Sequence, residues 1–297
     1  MSEYHWYNWE TSVLDHGFVR LRNLAGPTRR VFQNHVLYET GDVGAPDAIK
    51  DRNGDVVLGL CRICGKVEIE LEESCLVRDF DADGIDPANT ARTSFNQMDQ
   101  TRTREIDLAL CDYLMRNRHT TPFEMVECWL EMKLPIFVAR QFVRHRTVSI
   151  NEVSARYVQL PAEWYLPLPT TVGIKPKKAK QGRDILPWEE MDVDQQATVQ
   201  GFINRLDATC AANYEEYSQA IADGIPPELA RSFLHLNHYT SWVWKQDLHN
   251  MMHFLMLRYH SHAQYEAQQY AKAIIGLLER VLPNSMALFN KYRRLPE

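Results

Sequence analysis

No Gly-x-Gly-x-x-Gly run and no P-loop occur in the 297 residues, so any dinucleotide must be held without a Rossmann fingerprint. A Gly-x-Ser-x-Gly elbow is missing, and so is His-Glu-x-x-His, which removes the plainest signatures of a serine hydrolase and a zinc protease. No apolar run approaches a membrane span, and Met1-Ser2-Glu3-Tyr4-His5-Trp6 carries no signal-peptide pattern, so a cytoplasmic protein is expected. Positive charge is not in excess. The 33 Lys and Arg stand against 39 Asp and Glu, and a net charge of −6 argues against broad nucleic-acid binding. Cysteine is scarce: Cys61, Cys64, Cys75, Cys111, Cys128 and Cys210 suggest no secreted disulfide framework, and thiols are expected.

What remains is an ordinary enzyme composition, 45% hydrophobic and 24% charged, long enough for one large domain or two small ones. Residues 1–80 look β-rich. Val56–Ile63 and the strictly alternating Val67–Glu72 predict a hairpin turning at Cys64-Gly65-Lys66. From residue 85 the chain turns helical. Arg102–Arg118 has helical spacing, Val126–Leu134 alternates as a strand, and Pro135–Arg144 reads as a helix with Pro135 in its first turn. The lysine-rich stretch 170–195, with Arg183, is most simply a solvated loop. Asp194–Ala222 and Pro226–Leu236 read as helices, and Ser241–Leu282 as two helices or one kinked helix.

The densest chemistry lies in Arg144–Tyr157, which packs three arginines, a histidine, a glutamate and two serines together. Arg140 and Arg144 stand four apart, a spacing that repels unless an anion lies between them. Guanidinium forks suit phosphates. A solvated surface or salt bridges to carboxylates would serve as well, but the apolar flanks Ile136-Phe137-Val138 and Phe142-Val143 suggest half-burial, and buried arginines need partners. Ser154 reads as a hydrogen-bonding serine beside a ligand rather than a nucleophile.

Three further groups stand out. His249 and His253 share a helix face and could chelate zinc with His260 or His262, but no carboxylate completes the set and no metal is expected. Arg258, in the same apolar stretch, needs an anionic or carbonyl partner. His119–Glu124 predicts a short helix capped by Thr121, with Glu124 closing a capping box. Cys61-x-x-Cys64 is half a zinc knuckle, better read as thiols in a hairpin. Two rival readings stay open on these residues: a metal-dependent hydrolase using His249, His253 and His260, and a non-catalytic nucleotide- or RNA-binding protein built on the basic cluster.

The run Arg144-His145-Arg146, seven residues, then Ser154 resembles the signature of the flavin-dependent thymidylate synthases, the ThyX family. Val13–Val19, Ala91–Asn96, His119–Glu124, Arg140–Tyr157, Pro226–Thr240 and Ser261–Tyr270 continue the resemblance in order. The resemblance implies an α+β (α/β) fold of ThyX type, with a mixed sheet and long helices. It implies one domain over residues 1–297 and a homotetramer with shared active sites. It further implies methylation of dUMP to dTMP, with methylenetetrahydrofolate as carbon donor and NADPH-reduced FAD as hydride source. Gln141, Arg144, Glu152, Val153, Ser154, Ala155, Arg156 and Arg231 would line the dUMP site. Arg258 would be the catalytic residue, contacting the uracil edge and favouring ionisation at N3. Arg144, His145 and Arg146 would hold FAD with Thr121, Glu124 and Glu152, and His119 would lie near the flavin ring and folate. The chain departs from the family at flavin contacts, with Asp247, His249 and His253 where asparagine, arginine and asparagine are usual. It also departs in being longer at 27–80 and 170–195.

Overall fold

The computed structural model describes residues 9–26, 29–34, 49–50, 56–58, 74–79, 85–97, 102–175 and 182–293. Two strands, β1 (Glu10–Val13) and β2 (Gly17–Ala25), form a hairpin whose turn holds Leu14 at φ 61°. Gly17 is needed at its end: a Cβ there would lie 2.7 Å from the Val13 carbonyl oxygen and would also strike Tyr270 Oη. Next in the chain come β3 (Arg29–Asn34), β4 (Ile49–Lys50), β5 (Val56–Leu58) and β6 (Ser74–Asp79). They form two small antiparallel ladders, β3 with β6 and β4 with β5. The hairpin expected at Cys64-Gly65-Lys66 lies outside the described residues.

Three helices follow: α1 (Ile85–Arg92), α2 (Arg104–Arg116) and α3 (Thr121–Glu124). The capping box expected at Thr121 does not form. Thr120 is the N-cap, with no side-chain cap bond, and Pro122 occupies the first turn. The chain then runs through β7 (Glu127–Pro135), α4 (Ile136–Phe142), β8 (Ser149–Glu152), α5 (Pro169–Val172), α6 (Val193–Ala222) and α7 (Pro227–Ala230). It ends with β9 (Tyr239–Asp247), α8 (Leu248–Tyr259), α9 (Tyr265–Val281) and α10 (Pro283–Tyr292).

The larger sheet has the order β1-β2-β7-β9-β8. Every pairing in it is antiparallel, so the expected mixed sheet is corrected to an antiparallel one. A second correction concerns Ser241–Asp247, expected to be helical. These residues lie in β9 between β7 and β8, with Glu127 opposite Asp247 and Pro135 opposite Tyr239. Thr240, Trp242, Trp244 and Gln246 are buried while their neighbours from Ser241 to Asp247 are only half-buried, the period of two that a sheet requires. Helix α8 starts only after Asp247, which caps it by accepting from the Asn250 backbone N–H.

Helices α8 and α9 bring Met251, Phe254, Leu255, Tyr270, Ile274 and Leu278 into one core with Leu21, Leu130 and Met132 of the sheet. Phe254 meets Phe142 and Trp244 edge-on, each at 4.9 Å between centroids, locking α4, β9 and α8 together. Helix α6 is different. A capping box between Asp192 and Gln195 starts it, and it runs 30 residues yet buries only Val199, Cys210 and Tyr217 among the described contacts.

Other expectations are adjusted locally. Helix α4 stops at Phe142, so Arg144 is not on its face, and Pro135 precedes the helix instead of entering it. Arg140, Arg144 and Arg146 are exposed. Burial falls on Val138, Ala139 and Phe142, so the arginines' expected half-burial is not found within one chain. Pro226–Leu236 is not one helix but α7 followed by a 3-10 turn at Arg231–Phe233. The 170–195 stretch is only partly a solvated loop. Ile174 and Asp184 bridge it, and Arg183 pairs with the buried Glu266. Cys111, Cys128 and Cys210 are buried thiols outside any disulfide, as expected. No helix among the described residues is long and apolar enough to cross a membrane.

Candidate functional site

Edge strand β8 delivers Glu152 beside β9, where its carboxylate accepts from Thr240 Oγ1 at 2.6 Å. The chain then turns: Val153 N–H donates to the Ser241 carbonyl at 2.8 Å, and Tyr157 N–H donates to the Ser154 carbonyl at 3.0 Å. Ser154 Oγ accepts from the Arg156 backbone N–H at 3.3 Å, so the serine shapes the turn. Glu152, Val153, Ser154, Ala155 and Arg231 line one cavity of about 340 Å³, together with Thr240. Glu228 governs both arginines here. Its carboxylate lies 3.3 Å from Arg156 Nη2, and its carbonyl accepts from Arg231 Nε at 3.1 Å. The Arg156–Glu228 pair is exposed and holds its partners weakly, so an anion can displace it.

A second cavity, of about 680 Å³, is lined by Gln141, Arg183, Arg258, His262 and Gln264. Gln141 sits at the far end of α4 from Ile136, which lines the first cavity. The lining residues of the two cavities do not overlap. Arg258 finds the partners its apolar helix demands: Nη2 donates to the Gln141 carbonyl at 3.1 Å and Nε to His145 Nε2 at 3.2 Å. Burial lowers the Arg258 pKa from its ordinary value, but a guanidinium stays charged at neutral pH. The His145 ring packs edge-on against Phe254 at 4.9 Å. Burial, then the Arg258 charge, then His253, push its pKa down to about 4, so the ring is neutral at pH 7.

From Arg258 in this cavity, His145 leads on to His253 of α8. His249 and His253, one turn apart, line a narrow cleft with Met115, Met252, Met256 and Arg293. Burial lowers the His249 pKa, while Glu124 on α3 and Asp247 act against that shift. Glu124, Asp247, His249 and His253 are therefore brought together, and His253 in turn acts on His145. Asp247 spends both oxygens on Asn250, one on its backbone N–H and one on Nδ2, each at 2.8 Å. Thr121 opens α3 and is exposed, and His119, also exposed, stacks on Tyr113 at 5.9 Å between centroids. Among the described residues, no three His, Cys, Asp or Glu side chains converge as a metal set, so His249, His253 and His260 do not form one. His249 in the first turn of α8, with His253 one turn on, gives hydrogen-bonding imidazoles at a helix end suited to an anionic group such as a flavin nucleotide.

Reasoning from the sequence missed Thr240, Glu228, Gln264, Glu266 and Arg183. None stands in a spacing that announces a ligand. The blocks Pro226–Thr240 and Ser261–Tyr270 pointed to the neighbourhoods of Glu228 and Thr240 and of Gln264 and Glu266.

Residues 76–284 match the family described as thymidylate synthase complementing protein. A flavin-dependent thymidylate synthase of Gluconobacter oxydans is 42% identical over 217 residues, covering 73% of this chain and 70% of that protein. One from Treponema denticola is 39% identical over 229 residues, 76% of this chain and 83% of that protein. Among solved structures, a UMP/dUMP methylase PolB from Streptomyces cacaoi, bound with 5-Br dUMP, is similar with a TM-score of 0.61 and 28% identity. That similarity covers 73% of this chain and 95% of the other.

Proposed function

The chain belongs to the thymidylate synthase complementing protein family, the flavin-dependent thymidylate synthases, and from that membership we propose that it methylates dUMP to dTMP. The carrying observation is the division of the nucleotide-type residues between two cavities. Gln141 and Arg258 line one, and Glu152, Val153, Ser154, Ala155 and Arg231 line the other. A site made of both halves calls for a second copy of the chain. The long, little-buried α6 supplies a surface for such contacts, which supports a homotetramer with shared sites. The described thiols are buried and in no disulfide, as suits a cytoplasmic enzyme.

In this reading Arg156, Arg231 and Ser154 receive the phosphate, with Arg156 leaving Glu228 as it binds. Arg144 and Gln141 hold the nucleotide from the other half-site. Arg258 presents its guanidinium to the uracil edge and stabilises negative charge developing on the ring. Neutral His145 holds Arg258 at Nε and the Gln141 carbonyl holds Nη2, so Nη1 is the end of the fork that meets the base. When bound, FAD reduced by NADPH would supply the hydride that turns the methylene carbon of methylenetetrahydrofolate into a methyl group, releasing tetrahydrofolate. Arg144, His145, Arg146, Thr121, Glu124, Glu152, Asp247, His249 and His253 would hold the flavin, and His119 would lie beside its ring. The chain needs no nucleophile of its own. Burial pushes the Cys128 thiol up to about 12 and raises Cys210, so neither is a thiolate at neutral pH.

An absorption spectrum of the purified protein, repeated after anaerobic NADPH addition, tests the proposal. A flavin band that bleaches, followed by dTMP formation from dUMP and methylenetetrahydrofolate, is the expected result. Colourless protein that takes up no added FAD would overturn it.

A further inference from the structure

Glu266 is 1% exposed, in the first turn of α9, outside the residues assigned so far to substrate or flavin. One of its oxygens, Oε1, accepts from Arg183 Nη2 at 2.7 Å and from Tyr165 Oη at 3.0 Å. The other, Oε2, accepts from Gln264 Nε2 at 2.9 Å. A carboxylate paired with a guanidinium only accepts, so Gln264 must turn its NH2 group toward it. The Gln264 oxygen then faces the other way and accepts from Gln141 Nε2. Gln141 thus points its amide nitrogen at Gln264, with one N–H engaged there, which turns its amide oxygen away from Gln264 as an acceptor for a ligand. Its backbone carbonyl meanwhile anchors Arg258 Nη2. Gln141, Gln264, Arg183 and Arg258 all line the same 680 Å³ cavity.

We propose that Glu266 is a positioning residue which, through Gln264, sets the polarity of Gln141, so that Gln141 meets the nucleotide as an acceptor beside the donor Arg258. The proposal rests on the dUMP reading of this cavity. Two flipping amides in series have no preferred direction unless one end is fixed, and the buried carboxylate fixes it. Arg183 and Tyr165 hold that carboxylate in turn. The Ile174–Asp184 bridge, with both N–H···O bonds at 2.9 Å, delivers Arg183 from a segment otherwise read as solvated.

The test measures dUMP affinity on full-length, flavin-loaded protein for wild type, E266Q, Q264L, Q141A and the double variant Q141A/E266Q. In E266Q the new amide can present either its oxygen or its nitrogen to Gln264, so the relay loses its direction. E266Q and Q264L are each expected to weaken dUMP binding about tenfold, the effect of one misdirected hydrogen bond. The double variant should bind no more weakly than Q141A alone, because the two residues act through one contact. A merely structural Glu266 would instead give effects that multiply, and that result overturns the proposal. So does wild-type affinity in Q264L, whose exposed position lets it fold even if E266Q does not. If flavin-loaded wild type fails to bind dUMP, the dUMP reading falls, and the relay proposal falls with it.

Discussion

Arg258 Nε lies 3.2 Å from His145 Nε2, and this contact decides the state of the imidazole. A ring that accepts at Nε2 carries its proton on Nδ1, and burial beside Arg258 keeps it in that neutral form. The His145 ring packs against Phe254, so the guanidinium is held by the same aromatic core that joins α4 to α8.

Stability should fall in acid because of this arrangement. Unfolded His145 takes its proton near 6.5, the folded residue only at about 4. Between those values the unfolded state binds more protons. The contribution of His145 is complete above the unfolded pKa and is lost as the pH falls through the folded one. His238 adds the same dependence: burial pushes it down to about 4, although Glu163 acts against the shift. Melting temperature followed from pH 7 to pH 4 should drop, and H238Q should flatten the slope. A flat wild-type curve would contradict the prediction.

Arg258→Lys keeps the charge but not the fork. An ammonium cannot hold His145 Nε2, the Gln141 carbonyl and a base edge in the same plane. Turnover of dUMP should fall about 10²- to 10³-fold, the usual effect of losing one donor to developing charge. Flavin absorbance and melting temperature should stay close to wild type. Unchanged turnover would remove Arg258 from the chemistry.

Asp107→Ala should be among the most destabilising single changes away from the site. Asp107 on α2 pairs with Arg92 at the end of α1, with side chains 2% and 9% exposed. Removing the carboxylate leaves a buried guanidinium with Asn89 Oδ1, at 3.4 Å, as its remaining side-chain partner among the described residues. Breaking a buried pair from one side costs about 3–5 kcal/mol. Urea denaturation of D107A should give a lower midpoint, and R92M/D107L, which removes both charges, should recover much of the loss. Equal stability of D107A and wild type would refute the assignment.

The residues proposed for the substrate half-sites come from the family resemblance, most of them from the block Gln141–Arg156, with Arg231 and Arg258 outside it; charge density there leaves a solvated surface equally open. Much of the helical pattern was legible, since α2 and α6 match their expected spans to within two residues. Strand β9 was not. Its apolar residues run straight on into Leu248 and Met251 of α8, so one long apolar stretch hid the switch from period two to period 3.6. The alternation was nevertheless present in Thr240, Trp242, Trp244 and Gln246. The Glu266 network could not be read at all. Arg183 and Tyr165 lie 83 and 101 positions from Glu266, and no local pattern encodes pairing at that distance.

His249 offers the sharpest test of the flavin assignment. It stands in the first turn of α8, where the helix dipole favours an anion, yet burial lowers its pKa and leaves it without charge at neutral pH. An anionic flavin nucleotide at this helix end should therefore bind more tightly as the pH falls below 6.5 and His249 takes up a proton. His249→Arg makes the charge permanent. A hydrogen bond to a charged group contributes about 1.5–3 kcal/mol, so FAD affinity should rise roughly 10- to 150-fold at pH 7.5. The same variant should lose most of its dependence on pH, because arginine does not titrate there. Quenching of flavin fluorescence on binding measures both quantities. If H249R binds FAD as wild type does, with the pH dependence intact, the flavin lies elsewhere on the chain and α8 serves only as core.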